Sequence, residues 1–193
     1  MTAADPEKNI IYKNFSWRFI DSDKAEKVKP MNIHPGGAAT IIGSFPHTEA
    51  VDACRLVFDT LTQIPAWPQL PRRGFYEDMN AQFSGSLPCL HLDEENKKLG
   101  FDTSRDMAGE LERFYTRVIE DDVEYFGLDG KHAAGFGCFI DALKNGKAAG
   151  ALALKGETTG PLTLGLMTDV TDGKYALYKP DLFDAIVKSC TMN

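Results

Sequence analysis

Apolar residues along this chain follow two rhythms. Val51, Cys54, Val57, Phe58 and Leu61 recur three and four positions apart, which predicts an amphipathic helix over 49–62 with Cys54 on its apolar face. Thr48 is placed to cap it, with Glu49 and Asp52 in the first turn. Met107, Leu111, Phe114, Tyr115, Val118 and Ile119 trace a longer helix that runs to about Phe126 behind a Thr103–Asp106 cap. Further helices are predicted at 75–83, at 133–143 ending on Asn145-Gly146, and at 182–190 behind Asp181. The second rhythm is the short apolar run closed by glycine or proline. Ala38–Ile42, Ile64–Trp67 and Ala151–Leu154 read as buried strands. Leu90–Leu92 and Lys98–Phe101 pair as a hairpin around the polar Asp93–Asn96, and 156–165 reads as a loop. Strands alternating with helices predict an α/β fold on a mainly parallel sheet, with this one hairpin.

Residues 1–30 break the pattern. An aromatic stretch (Tyr12, Phe15, Trp17, Phe19) is followed by the charged Asp21–Lys29 and closed by Pro30, which reads as an extension or linker ahead of a main body at 31–193. The 193 residues suit one domain. Lys+Arg is 21 and Asp+Glu is 28, so the net charge is 21 − 28 = −7, which disfavours a nucleic-acid partner. No apolar run approaches the ~18–20 residues that cross a bilayer, and the first residues lack the basic start and apolar core of a secretory signal. Cys54, Cys89, Cys138 and Cys190 form no C-x-x-C pair. Together these features lead us to expect a cytoplasmic protein with reduced thiols.

Candidate chemistry gathers where strands end. Ser44 and His47 follow the first predicted strand, where parallel α/β folds bind ligands. A serine hydroxyl there can fix a polar substrate group, although loop and cap chemistry explains the same residues. Trp67, Gln69, Arg72 and Arg73 follow the second strand. An aromatic platform beside two arginines suits a flat or carboxylate-bearing ligand, and a solvated surface loop is the plainer alternative. Lys155-Gly156-Glu157-Thr158-Thr159-Gly160-Pro161 follows a third strand, and its glycines permit close approach of a ligand to the backbone. Cys89 and His91 share a strand face as a two-ligand metal candidate, but a zinc site needs three or four ligands and no nearby pair completes it. Spacings for a phosphate loop or a G-x-S-x-G nucleophile are absent.

Three segments carry a resemblance to a known superfamily. Ala39-Thr40-Ile41-Ile42-Gly43-Ser44-Phe45-Pro46-His47-Thr48, Ile64-Pro65-Ala66-Trp67-Pro68-Gln69-Leu70-Pro71 and Lys155-Gly156-Glu157-Thr158-Thr159-Gly160-Pro161-Leu162-Thr163 are similar, in order and spacing, to segments of the uroporphyrinogen decarboxylase and cobalamin-independent methionine synthase group. The short methionine-synthase-like members are the nearest in character. The resemblance implies a (β/α)8 barrel with its site at the strand C-terminal face. It also implies transfer of a methyl group to a zinc-activated thiol such as homocysteine. By the same resemblance Ser44 holds the amino-acid substrate, and we expect His47, Trp67, Gln69, Arg72, Arg73, Glu157 and Thr159 to complete the substrate-binding set. The family's Asp-Glu-Pro motif and zinc-binding His and Cys residues come later than Asn193. The expectation is therefore roughly the first half of a barrel, inactive in methyl transfer alone, with no cofactor within this chain and zinc only alongside a further segment. Such a half-barrel would self-associate or be completed by another chain. A non-catalytic module for small-ligand binding or subunit assembly, and a decarboxylase-like enzyme using Arg72 and Arg73, are the alternatives.

Overall fold

The computed structural model describes residues 34–192, so the predicted extension at 1–30 lies outside the described residues. Among them are six α-helices and a three-stranded sheet, a mixed α/β arrangement. The helices are α1 (Ala50–Thr60), α2 (Met107–Ile119), α3 (Val123–Phe126), α4 (Ala134–Lys144), α5 (Pro161–Met167) and α6 (Pro180–Met192). The strands are β1 (Leu90–Asp93), β2 (Lys98–Phe101) and β3 (Thr168–Val170). β1 and β2 form the predicted hairpin, with Leu90 opposite Phe101, and β3 joins β2 in parallel with Leu99 opposite Thr168. The named sheet is therefore half antiparallel, against the expectation of a mainly parallel one. No described helix is long and apolar enough to cross a membrane.

Two further parallel contacts are single bridges, Ser44 with Gln69 and Ala66 with Lys155. Of the strands predicted at 38–42, 64–67 and 151–154, only Ala66 takes part in a bridge; Ser44, Gln69 and Lys155 lie just beyond the predicted runs, and 38–42 and 151–154 form no strand. Pro46, Pro65 and Pro68 have no N–H to donate, so a ladder through them cannot propagate. Nor is 151–154 buried as expected: Leu152 and Leu154 are each 48% exposed.

Caps decide where the helices begin. α1 starts after Glu49, which makes no side-chain cap, so the predicted Thr48 cap is not formed. The Asp106 carboxylate accepts from Gly109 N at 3.0 Å and opens α2. The single helix predicted to Phe126 breaks at Asp121, whose φ of 54° is left-handed, and Asp122 then caps α3 through Tyr125 N. Aspartates compete well for such positions because their short carboxylates bond local amides. The predicted helix at 75–83 is two 3-10 turns, Phe75–Glu77 and Ala81–Phe83. The predicted loop at 156–165 instead yields α5 from Pro161, where a first-turn proline wastes no hydrogen bond.

Burial is divided among three apolar clusters. One joins the β1–β2 hairpin and β3 to α5 and α6 through Leu99, Phe101, Val170, Leu164 and Ile186. A second holds α1 against α4 through Cys54, Val57, Phe139 and Leu143, with Trp67 and Phe83 beneath. The third packs Phe114 of α2 on Phe126 of α3 and Ala185 of α6. The second cluster lies under the strand ends and fixes the loops that carry the candidate site.

Candidate functional site at the strand ends

Backbone hydrogen bonds set three segments side by side. Phe45 N donates to Gln69 O at 2.9 Å, and Gln69 N donates to Gly43 O at 2.7 Å. On the other side, Lys155 N donates to Pro65 O at 3.0 Å and Leu152 N to Gln63 O at 2.8 Å. Because both bridges are parallel, the residues after 44, after 69 and after 155 emerge at one end. Counting along the register puts Glu157 level with Pro68 (157 − 89, where 155 − 66 = 89) and Pro68 level with Gly43 (68 − 25, where 69 − 44 = 25).

The side chains agree with that count. Glu157 reaches across and accepts from Gly43 N through Oε2 at 2.8 Å. Its other oxygen takes the Lys155 ammonium, which also donates to the Ile41 carbonyl. Position 43 must be glycine for this closeness, since a Cβ there would lie 2.4 Å from Glu157 Oε2 and 2.9 Å from Gln69 Oε1. Gln69 Nε2 donates to Gln82 Oε1 at 2.8 Å, and Gln82 Nε2 donates to the His132 carbonyl at 2.8 Å. Gln69 and Gln82 are buried, so these bonds satisfy groups that would be costly to leave bare. The result is a continuous polar floor beneath the strand ends.

The predicted site residues divide into two sets. Ser44 and Arg72 are exposed at the strand ends, and His47 is half-buried beside Phe45, with a ring separation of 5.7 Å. The buried His47 Nδ1 has no hydrogen-bond partner among the described residues. The other five are committed within the protein. Gln69 and Glu157 belong to the floor. Thr159 is buried and its hydroxyl donates to the Met79 carbonyl. Arg73 pairs with Glu77, a carboxylate with a fully buried side chain. Burial pushes the Glu77 carboxyl above the usual range, against the opposing pull of the Arg73 guanidinium. Trp67 is 3% exposed and meets Phe136 and Phe83 edge-on, at 5.5 and 6.5 Å between centroids. The expected aromatic platform is thus a core residue, and Arg72 is left as the arginine open to a ligand. A two-arginine clamp of the decarboxylase kind would have to take Arg73 from its buried partner.

Lys155 opens a loop read as candidate chemistry, whereas Gly43, Glu77 and Gln82 are site residues that the sequence reading does not pick out. Gly43 was readable from its place between a strand and a serine. Gln82 was not, because a contact 13 residues away through a side chain leaves no periodic trace. Cys89 and His91 separate: Cys89 is buried at a left-handed φ of 50°, outside β1, while His91 is exposed on β1. Among the described residues no group of three or more His, Cys, Asp or Glu side chains is arranged to hold a metal. Cavities of about 390 and 330 Å³ lie against the hairpin and α2, and between α2 and α6; Cys89 lines the first, and none of the eight predicted substrate-binding residues lines either.

Comparison of the chain with protein families, with curated proteins and with solved structures finds no match.

Proposed function

We propose that the strand-end face binds a small amino acid of the homocysteine class, as the acceptor-binding part of a methionine-synthase-like (β/α)8 barrel. The observation that carries this reading is the pair of parallel bridges, which sets all three resemblance segments side by side and running the same way. In this reading Ser44 holds a polar group of the amino acid and Arg72 its carboxylate, above a floor of Gly43, Gln69, Gln82, Lys155 and Glu157. The floor's role is positional, since its polar groups already bond one another. Zinc chemistry needs a ligand set that the described residues do not assemble, so no step is assigned to a metal here. The chain's own contribution is binding and orientation of the acceptor.

Titration calorimetry of the full chain with homocysteine tests this. Binding is expected, and Ser44→Ala should weaken it roughly tenfold, the worth of one hydrogen bond to a charged group. Absence of binding, or an affinity unchanged by Ser44→Ala, overturns the reading.

A further inference from the structure

Two thiols 84 positions apart in sequence (138 − 54) lie on the packed seam between α1 and α4. Cys54 is 3% exposed on α1, and its Sγ donates to the Gly135 carbonyl, 3.5 Å away in the first turn of α4. Cys138 lies three positions beyond Gly135, so both fall on one side of α4. It is half-buried and packs against the same apolar cluster that contains Cys54. With Cys54 Sγ on the Gly135 carbonyl and Cys138 one turn further along the same side of α4, the two thiols are neighbours on this seam, and burial, with Cys138 adding to it, pushes the Cys54 thiol up. Cys89, ahead of the hairpin, and Cys190, on α6, occupy other parts of the fold.

We propose that Cys54 and Cys138 are a redox pair that closes to a reversible disulfide when the protein meets a low-molecular-weight disulfide of the oxidised glutathione class. Cys138, the more accessible, attacks first as its thiolate. A Cys138–glutathione bond forms, the oxidant's S–S bond breaks, and one glutathione thiolate leaves. Cys54 then loses its proton and attacks the Cys138 sulfur. The protein disulfide forms and the second glutathione thiolate leaves. Two thiol hydrogens have left as protons, and the two electrons reside on two reduced glutathione molecules. The burial of Cys54 makes the second step the slow one, and it quickens as pH rises. The closed bond joins α1, which directly follows the Ser44–His47 loop, to α4, whose Gly135 backbone abuts Pro68. Oxidation therefore stiffens the support of the strand-end face.

The test uses the full chain under native conditions. It is incubated with oxidised glutathione, quenched in acid, alkylated at remaining thiols, and analysed by intact mass and peptide mapping. The expected result is loss of two hydrogens, a Cys54–Cys138 cross-linked peptide, no retained glutathione, and reversal by dithiothreitol. Cys54→Ala should instead trap glutathione on Cys138, and Cys138→Ser should abolish the link. Wild-type protein that keeps glutathione on Cys138, links other cysteines, or leaves both thiols open to alkylation overturns the proposal.

Discussion

Replacing Gly135 with alanine sets two effects of opposite sign against each other. Gly135 is buried in the first turn of α4, and an added Cβ would sit 1.8 Å from the Pro68 carbonyl oxygen, 3.0 Å from its carbon and 3.2 Å from Pro68 Cγ. Cβ contacts essentially never fall below 3.0 Å, so α4 and the 65–69 segment must part by 3.0 − 1.8 = 1.2 Å. The nearest obstacles are backbone atoms, so no rotamer change relieves the clash. A gap of about 0.5–1 Å already removes a quarter to a half of the dispersion energy between facing atoms. The α1–α4 seam and the Trp67–Phe136 contact would both open by that much. Overpacking at its upper range costs about 3 kcal/mol, and the helix preference of alanine over glycine returns up to about 1, leaving a net loss of about 2 kcal/mol. Gly137 is the control, because it lies in the same helix, is exposed, and has nothing within 4 Å of its added Cβ. Gly137→Ala should stabilise by up to about 1 kcal/mol. Urea unfolding followed by tryptophan fluorescence reads both variants, since Trp67 reports directly on this seam. Equal stabilisation by the two substitutions would refute the close approach of α4 to Pro68.

Two further outcomes follow from buried groups. Phe114→Ala empties a site that is 0% exposed and loses the edge-on contact with Phe126 at 5.5 Å, so it should cost about 3–5 kcal/mol, measured as a lowered urea midpoint; a loss under about 1 kcal/mol would contradict the packing. Burial raises the Glu77 carboxyl, so between the ordinary glutamate value and the raised one the folded chain holds more protons than the unfolded chain. Stability then falls as pH rises through that window and levels off above it. Glu77→Gln should remove this part of the slope in urea midpoints taken across about pH 4 to 7, and an unaltered slope would contradict the assignment.

The helices were the most legible part of the chain, because packing on one face repeats with a period that survives in sequence. α1 and α4 fall within two residues of expectation, and the apolar face of α1 carries Cys54 and Val57 as read. The hairpin was equally plain, since both strands and the polar turn are local. What failed depended on partners far along the chain. Thr168–Val170 spans too few residues to show alternation, and only its pairing with β2 makes it a strand. The apolar runs at 38–42 and 151–154 read as strands, but neither pairs: the single bridges fall just past them at Ser44 and Lys155, and prolines in the neighbouring segments keep a ladder from growing. At the candidate site, the placement of Ser44 and Arg72 at the strand ends was readable. That Trp67, Arg73, Glu157 and Thr159 would spend their polarity or bulk inside the protein was not, because each is committed to a residue that only the fold brings near.

The parallel contacts also impose an order on assembly. Leu99 meets Thr168 across 69 positions (168 − 99), and Ala66 meets Lys155 across 89 (155 − 66). Such long closures add little to the equilibrium cost, since loop entropy grows only with the logarithm of length. Their effect is kinetic, because the entropy of closing the loop is spent before the first distant contact repays it. The hairpin and the first turns of α2 need only near neighbours and can form early. On a chain emerging amino-terminus first, Gly43 and Gln69 wait for Glu157 and Lys155 to be synthesised. The polar floor is thus among the last features to form, and the side of the 65–69 segment that meets Lys155 stays open until it does.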